Sequence, residues 1–116
     1  MVEKWISEIK KECLPDELGM ILVHNGIVRA TSKKGEPVGG MNLSFDSARL
    51  KDAVSLFKTR EGIADVRVWI NQGQLKPGDD IMYVCLAGRF RTDVLPVFQE
   101  LITLIKTEIV HEEEIA

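Results

Sequence analysis

Residues 73–88 read GQLKPGDDIMYVCLAG, and this stretch decides the fold class. Pro77-Gly78 is a strong turn signal, because proline presets its φ and glycine tolerates backbone angles closed to other residues. Ile81 to Ala87 follows as an almost continuous apolar run, bounded by the turn and by Gly88. Its length and its β-forming residues suit a central strand buried on both faces. A tight turn at Pro77-Gly78 calls for an antiparallel hairpin. The expected class is therefore α+β, with helices packed on one side of an antiparallel or mixed sheet.

Working back from the turn, Ala64 to Ile70 reads as a strand with Val66, Val68 and Ile70 on one face and the wetter Asp65, Arg67 and Trp69 on the other. Before it, Leu50, Ala53, Val54 and Phe57 form an apolar stripe on a helix over 48–60. Asp46 or Ser47 is placed to cap that helix, and Gly62 to end it. Met41, Leu43 and Phe45 alternate with Asn42 and Ser44, the pattern of a half-buried strand. Residues 31–40, TSKKGEPVGG, read as a mobile loop in which Gly39-Gly40 supplies flexibility. Residues 19–31 read as a strand with an irregularity at Gly26. Val2, Trp5, Ile6, Ile9 and Cys13 form one stripe of an N-terminal helix within residues 1–18.

Downstream of Gly88, Thr92 or Asp93 can cap a last helix over 93–110, with Pro96 harmless in its first turn. Val94, Leu95, Val97, Phe98, Leu101, Ile102, Leu104, Ile105 and Ile109 give that helix an unusually wide apolar surface. Such width implies a second neighbour, either a sheet or another copy of the chain. The tail 111–116, HEEEIA, is acidic and is expected to fray.

The 116 residues make one domain by length, and 45% hydrophobic residues are enough for a core. Fifteen basic against eighteen acidic residues leave a net charge of −3, so no positive field invites nucleic acid. No apolar run approaches the ~18–20 residues that span a bilayer. The start, MVEKWISEIKKE, carries charges where a signal peptide needs an apolar core, so a cytoplasmic location is expected. Cys13 and Cys85 then read as reduced thiols, Cys85 as a buried small hydrophobe and Cys13 partly exposed. His24 and His111 stand in no metal-binding motif, and neither a metal nor a cofactor is expected.

Few residues point to chemistry. Asp79-Asp80 reads as turn capping and solvation. Arg89 and Arg91 flank the start of the last helix, where they either hold an anion or pair with local acids. Arg29, beside the loop, invites the same question, and Lys33-Lys34 reads either as a solvated loop pair or as an anion site. Lys106 lies among apolar neighbours, either snorkelling to water or serving as an active-site lysine.

Gly26-Ile27-Val28-Arg29 resembles the F-x-G-x-V-R element of the molybdopterin synthase large subunit, the MoaE family, and residues 73–81 resemble its G-x-L-x-P-G-D-x-x hairpin. The resemblance spans roughly residues 19–113. It implies an α/β-hammerhead fold and a homodimer. It also implies a ubiquitin-like small subunit whose Gly-Gly C-terminus carries a thiocarboxylate, and sulfur transfer to a cyclic pyranopterin phosphate. By position, Arg29 and Arg91 match its substrate-binding arginines and Lys106 a catalytic lysine. Phe90 stands at the family's histidine, Glu113 at its second lysine, Ile70-Asn71-Gln72-Gly73 at its His-Arg-x-Gly, and Ser44-Phe45-Asp46 near its Glu-His-Tyr; the N-terminal helix replaces a strand. Exchanging lysine for glutamate turns attraction for a phosphate into repulsion, at about 4 kcal/mol per unit-charge contact at an effective dielectric of ~20 before screening. The expectation is a MoaE-like protein with a degraded sulfur-transfer site, acting as a dimeric binding module. The alternatives are an active large subunit, or an enzyme using Lys106 on another substrate.

Overall fold

The computed structural model describes residues 1–116. Its elements are α1 (Val2–Glu12), β1 (Met20–Ile27), β2 (Gly40–Phe45), α2 (Ser47–Lys58), β3 (Ile63–Ile70), β4 (Gly73–Leu75), β5 (Asp80–Gly88), α3 (Arg91–Leu104), a π-helical turn (Ile105–Ile109) and β6 (Val110–Ile115). The strands form two antiparallel sheets, ordered β1-β5-β3 and β4-β2-β6. The class is α+β, as expected, but with two sheets rather than one.

The division falls at the sequence that decided the class. The turn at Pro77-Gly78 is present, with the Asp79 N–H donating to the Lys76 carbonyl at 3.0 Å and Gly78 at φ +93°. The strands on either side of it do not pair with each other. β4 pairs with β2 in the second sheet, and β5 is the centre of the first. Three residues of β4 are too few to dominate the pairing of a nine-residue apolar strand. β5 instead takes its neighbours from the longer β1 and β3, which supply full-length ladders on both edges.

β5 is buried on both faces. Met82, Val84 and Leu86 are fully buried beneath Val94 and Leu101 of α3 and Ala53 and Phe57 of α2. Cys85 and Ala87, on the opposite face, pack with the fully buried Ile9 of α1. Helices therefore cover both faces of this sheet, not one. The wet reading of the β3 face missed this cover because its charge is answered from above. Arg67 pairs with Asp65 on its own strand at 2.9 Å, and with Glu8 at 2.9 Å and Glu12 at 3.2 Å from α1. Burial pushes the Cys85 thiol up to about 11, with Asp65 adding to the effect. Desolvation and Asp65 likewise raise Cys13, so both sulfurs stay protonated thiols.

The wide apolar surface of the last helix is consumed within the chain. Val94, Val97, Leu101, Ile105 and Ile109 are buried, and Phe98, Ile102 and Leu104 pack against the same core, leaving Leu95 exposed. The helix begins at Arg91, not 93, and neither Thr92 nor Asp93 caps it: Phe90 occupies the cap position with no side-chain bond. At α2, Asp46 caps as expected, accepting from the Arg49 N–H at 3.1 Å.

Two further expectations change. Gly40 is not a flexible joint: it opens β2 at φ +155°, and a Cβ there would lie 2.3 Å from the Leu75 carbonyl oxygen. The acidic tail does not fray. Residues 110–115 pair with β2 along its whole length, from Phe45 opposite Val110 to Gly40 opposite Ile115. An exposed strand edge with unmet backbone groups overrides the weak strand preference of three glutamates.

A candidate anion-binding cavity between the two sheets

A cavity of about 550 Å³ opens where the first sheet meets the second. Its walls come from the end of β1 (Ile27), the start of β5 (Ile81), the β1–β2 loop, the π-helical turn, Met41 of β2 and the tail strand β6.

Arg29 reaches it because the residue before it is clamped. Val28 is buried, its N–H donates to the Asp79 carbonyl at 2.9 Å, and its carbonyl accepts from the Gly78 N–H at 2.8 Å. The GIVR and PGDD segments are thus hydrogen-bonded to each other, and the turn supports the arginine. The Arg29 guanidinium donates to Thr31 Oγ1 at 3.3 Å. The loop beyond is folded back on itself. Thr31 bridges Pro37, the Ser32 N–H donates to the Glu36 carbonyl at 2.8 Å, and Ser32 Oγ accepts from the backbone N–H groups of Lys34 and Glu36. Its internal bonding contrasts with the mobile loop expected there, and it brings Lys33 and Lys34 to the cavity wall.

Lys106 enters from the π-helical turn, between the buried Ile105 and Ile109. Such turns are rare, and they concentrate at functional sites. This one is tied to α2, since the Arg49 guanidinium donates to the Glu108 carbonyl at 2.8 Å and pairs with its carboxylate at 3.2 Å. Nearby on β1, the His24 imidazole is held below its ordinary value of 6.5, first by desolvation and then by the charge of Lys106.

The four cations Arg29, Lys33, Lys34 and Lys106 share the wall with Glu36, Glu112 and Glu114. No ion pair within 4.0 Å joins any of the seven. Charges that do not pair with each other in a concave site are available to a ligand, and an anion would meet a net excess of one positive charge.

Arg91 does not join them. It is an exposed residue at the first position of α3. The nine residues of β5, at ~3.3 Å each, place roughly 26 Å of strand between its end of the sheet and the cavity. Its neighbour Arg89 pairs with Asp93 at 2.9 Å and Glu61 at 3.3 Å, the local-acid outcome. Asp79 caps the turn by accepting from the Lys76 N–H at 2.8 Å. Asp80 accepts from the Tyr83 hydroxyl at 2.5 Å and from Asn25 at 3.0 Å, bonds that hold its carboxyl below the usual range. Glu113 lies beside His111, Asn42 and Gln74 at a different, shallow depression.

Of the residues singled out in the sequence, Arg29, Lys33, Lys34 and Lys106 line this cavity and Arg91 does not. Glu36, Glu112 and Glu114, which also line it, carry no such signal in the sequence. Only the pairing of β6 with β2 brings the tail to the cavity, and no local pattern in HEEEIA announces that pairing.

An α+β chain of two antiparallel sheets, with a cationic cavity at their junction, is the class these features define. The family model described as MoaE protein matches residues 2–108, and the chain belongs to that family. Solved structures agree in fold. Molybdopterin synthase from Staphylococcus aureus superposes with a TM-score of 0.74 at 16% identity, covering 94% of this chain and 82% of that one. The molybdopterin biosynthesis MoaE protein of Burkholderia ambifaria gives 0.73 at 18%, covering 99% and 81%. A chain in the complex of subunits 1 and 2 of the molybdopterin-converting factor from Helicobacter pylori gives 0.71 at 17%, covering 97% and 77%. No curated protein matches by sequence.

Proposed function

We propose that this chain serves molybdenum cofactor biosynthesis as a MoaE-type large subunit whose cavity binds a cyclic pyranopterin phosphate but transfers sulfur poorly. The observation that carries the reading is the convergence of Arg29 and Lys106, with Lys33 and Lys34, on one cavity free of internal ion pairs. All four cations are exposed at the cavity wall, where their combined charge attracts a phosphate. Poor transfer follows from what surrounds them. Glu36, Glu112 and Glu114 place negative charge at the cavity wall, and the resemblance matches Phe90 to a histidine and Glu113 to a lysine that this chain lacks, at positions outside the cavity.

A ubiquitin-like small subunit with a Gly-Gly C-terminus is the proposed partner. The Helicobacter pylori relative, a complex of two subunits, supports it. Homodimerisation in the cytoplasm belongs to the same proposal. Its motive in the α3 stripe has weakened, because that surface is internal, and Phe90 and Leu95 are the exposed apolar residues left at this helix. Light scattering at micromolar concentration checks it, and a monomer counts against it.

The test is reconstitution with thiocarboxylated small subunit and pyranopterin phosphate. The expected result is pterin binding with little or no dithiolene product. Robust turnover that disappears in Lys106→Ala supports the second reading, an active large subunit, which the Arg29–Lys106 convergence also favours.

A further inference from the structure

The cations of the cavity explain how an anion is held, but they do not explain how one phosphate compound is told from another. The tail strand supplies what they lack. Directly opposed residues of an antiparallel pair share a face of the sheet. Glu112 stands opposite Leu43 and Glu114 opposite Met41, and both of those β2 residues are buried in the core. The two carboxylates therefore lie on the face of β6 that carries Val110, as exposed residues at the rim of the cavity rather than in the core. They line the cavity, and neither pairs with Arg29 or Lys106 across it.

We propose that Glu112 and Glu114 determine specificity in this cavity, accepting hydrogen bonds from the amino and ring N–H donors of a pterin while Arg29 and Lys106 hold its phosphate. This rests on the pterin-phosphate reading above. A carboxylate has two acceptor oxygens in one plane, which match adjacent N–H donors on a planar heterocycle. A site with acceptors on one wall and cations on another selects a ligand that carries donors at one end and negative charge at the other. Inorganic phosphate satisfies only the second wall. The volume of about 550 Å³ lies in the range of small-molecule sites. Charges on an edge strand also discourage pairing between molecules, a role that requires no ligand.

Calorimetric titration of the full chain with two probes separates these roles: 6-hydroxymethylpterin, which has the ring and no phosphate, and inorganic phosphate. The double variant Glu112→Gln/Glu114→Gln is expected to lose about tenfold in pterin affinity, since a neutral amide is a weaker and less symmetric acceptor. Its phosphate affinity should hold or rise. Lys106→Ala should show the reverse pattern, losing phosphate and keeping the pterin. The single variants, with folding verified by circular dichroism, guard against a collapsed tail. Unchanged pterin affinity in the double variant overturns the proposal in favour of edge protection. Equal gains for both probes overturn it in favour of simple repulsion. If the native chain binds phosphate but no pterin, the glutamates have no such role, although the anion site stands. If it binds neither probe, the pterin-phosphate reading falls as well.

Discussion

The two ends of the central strand β5 treat positive charge differently. At its C-terminal end, Arg89 is matched by Asp93 and Glu61, and Arg60 nearby is matched by Glu100 at 2.8 Å. Midway, Arg67 is held by three carboxylates on two elements. At the N-terminal end, Arg29, Lys33, Lys34 and Lys106 surround a cavity without an ion pair among them and its acids. Matched cations staple elements together, while unmatched cations in a hollow leave electrostatic work for a ligand. The sign of a residue does not distinguish the two roles, and neither does its position at a strand end. The partner set does.

The comparison predicts a ranking. Arg67→Ala should have the largest effect, about 2 kcal/mol of stability lost, because it leaves the mostly buried Asp65 with only the 3.6 Å pair to Lys58 and the Val66 N–H, and releases α1 from its sheet. Urea unfolding measures this, and a variant as stable as the native chain would break the distinction. Arg89→Ala should lose less stability in the same urea unfolding, since its pairs are more exposed and screened.

Next comes a pH effect at the cavity. His24 has a folded pKa below its ordinary 6.5, so between the two values the unfolded chain binds a proton that the folded chain refuses. Its contribution to stability is complete above about pH 6.5 and is lost as pH falls through the lower, folded value. His24→Gln should flatten that part of the stability profile. In Lys106→Ala, proton-monitored titration should show the His24 pKa rising only partway, because desolvation is the larger cause. A full return to 6.5 would mean the lysine dominates. The smallest effect on folding should be that of Arg29→Ala and Lys106→Ala, within about 0.5 kcal/mol of the native chain. Both should nevertheless weaken phosphate binding in a salt-dependent way. Substantial unfolding in either would place these cations with the staples.

Much of this was legible in the chain itself. The β5 run, the helical stripes and the alternation of β2 are periodic signals, and periodicity reports burial directly. The irregularity expected at Gly26 is present as a shift of register between Gly26 and Ile27. What stayed hidden depends on partners distant in sequence. The turn at Pro77-Gly78 announces a reversal of the chain, but which strand receives β4 is decided by length and competition. Arg67 looks solvated until Glu8 and Glu12 arrive from α1. The tail looks disordered until β2 offers it an edge. For the site, Arg29 stands out at a strand end beside a loop and Lys106 among apolar neighbours, whereas Glu112 and Glu114 are hidden within a run of like charge.

The reciprocal bonds between Val28 and the Gly78-Asp79 turn join segments about fifty residues apart. Contacts so distant along the chain close late in folding, after the local helices and the β3–β5 ladder have formed. The hollow beside Arg29 therefore forms only once this long-range latch has closed, and transient opening of the latch would unmake it. Amide exchange at Val28 and Gly78, faster than in the middle of β5 and slowed when phosphate is added, would time that opening.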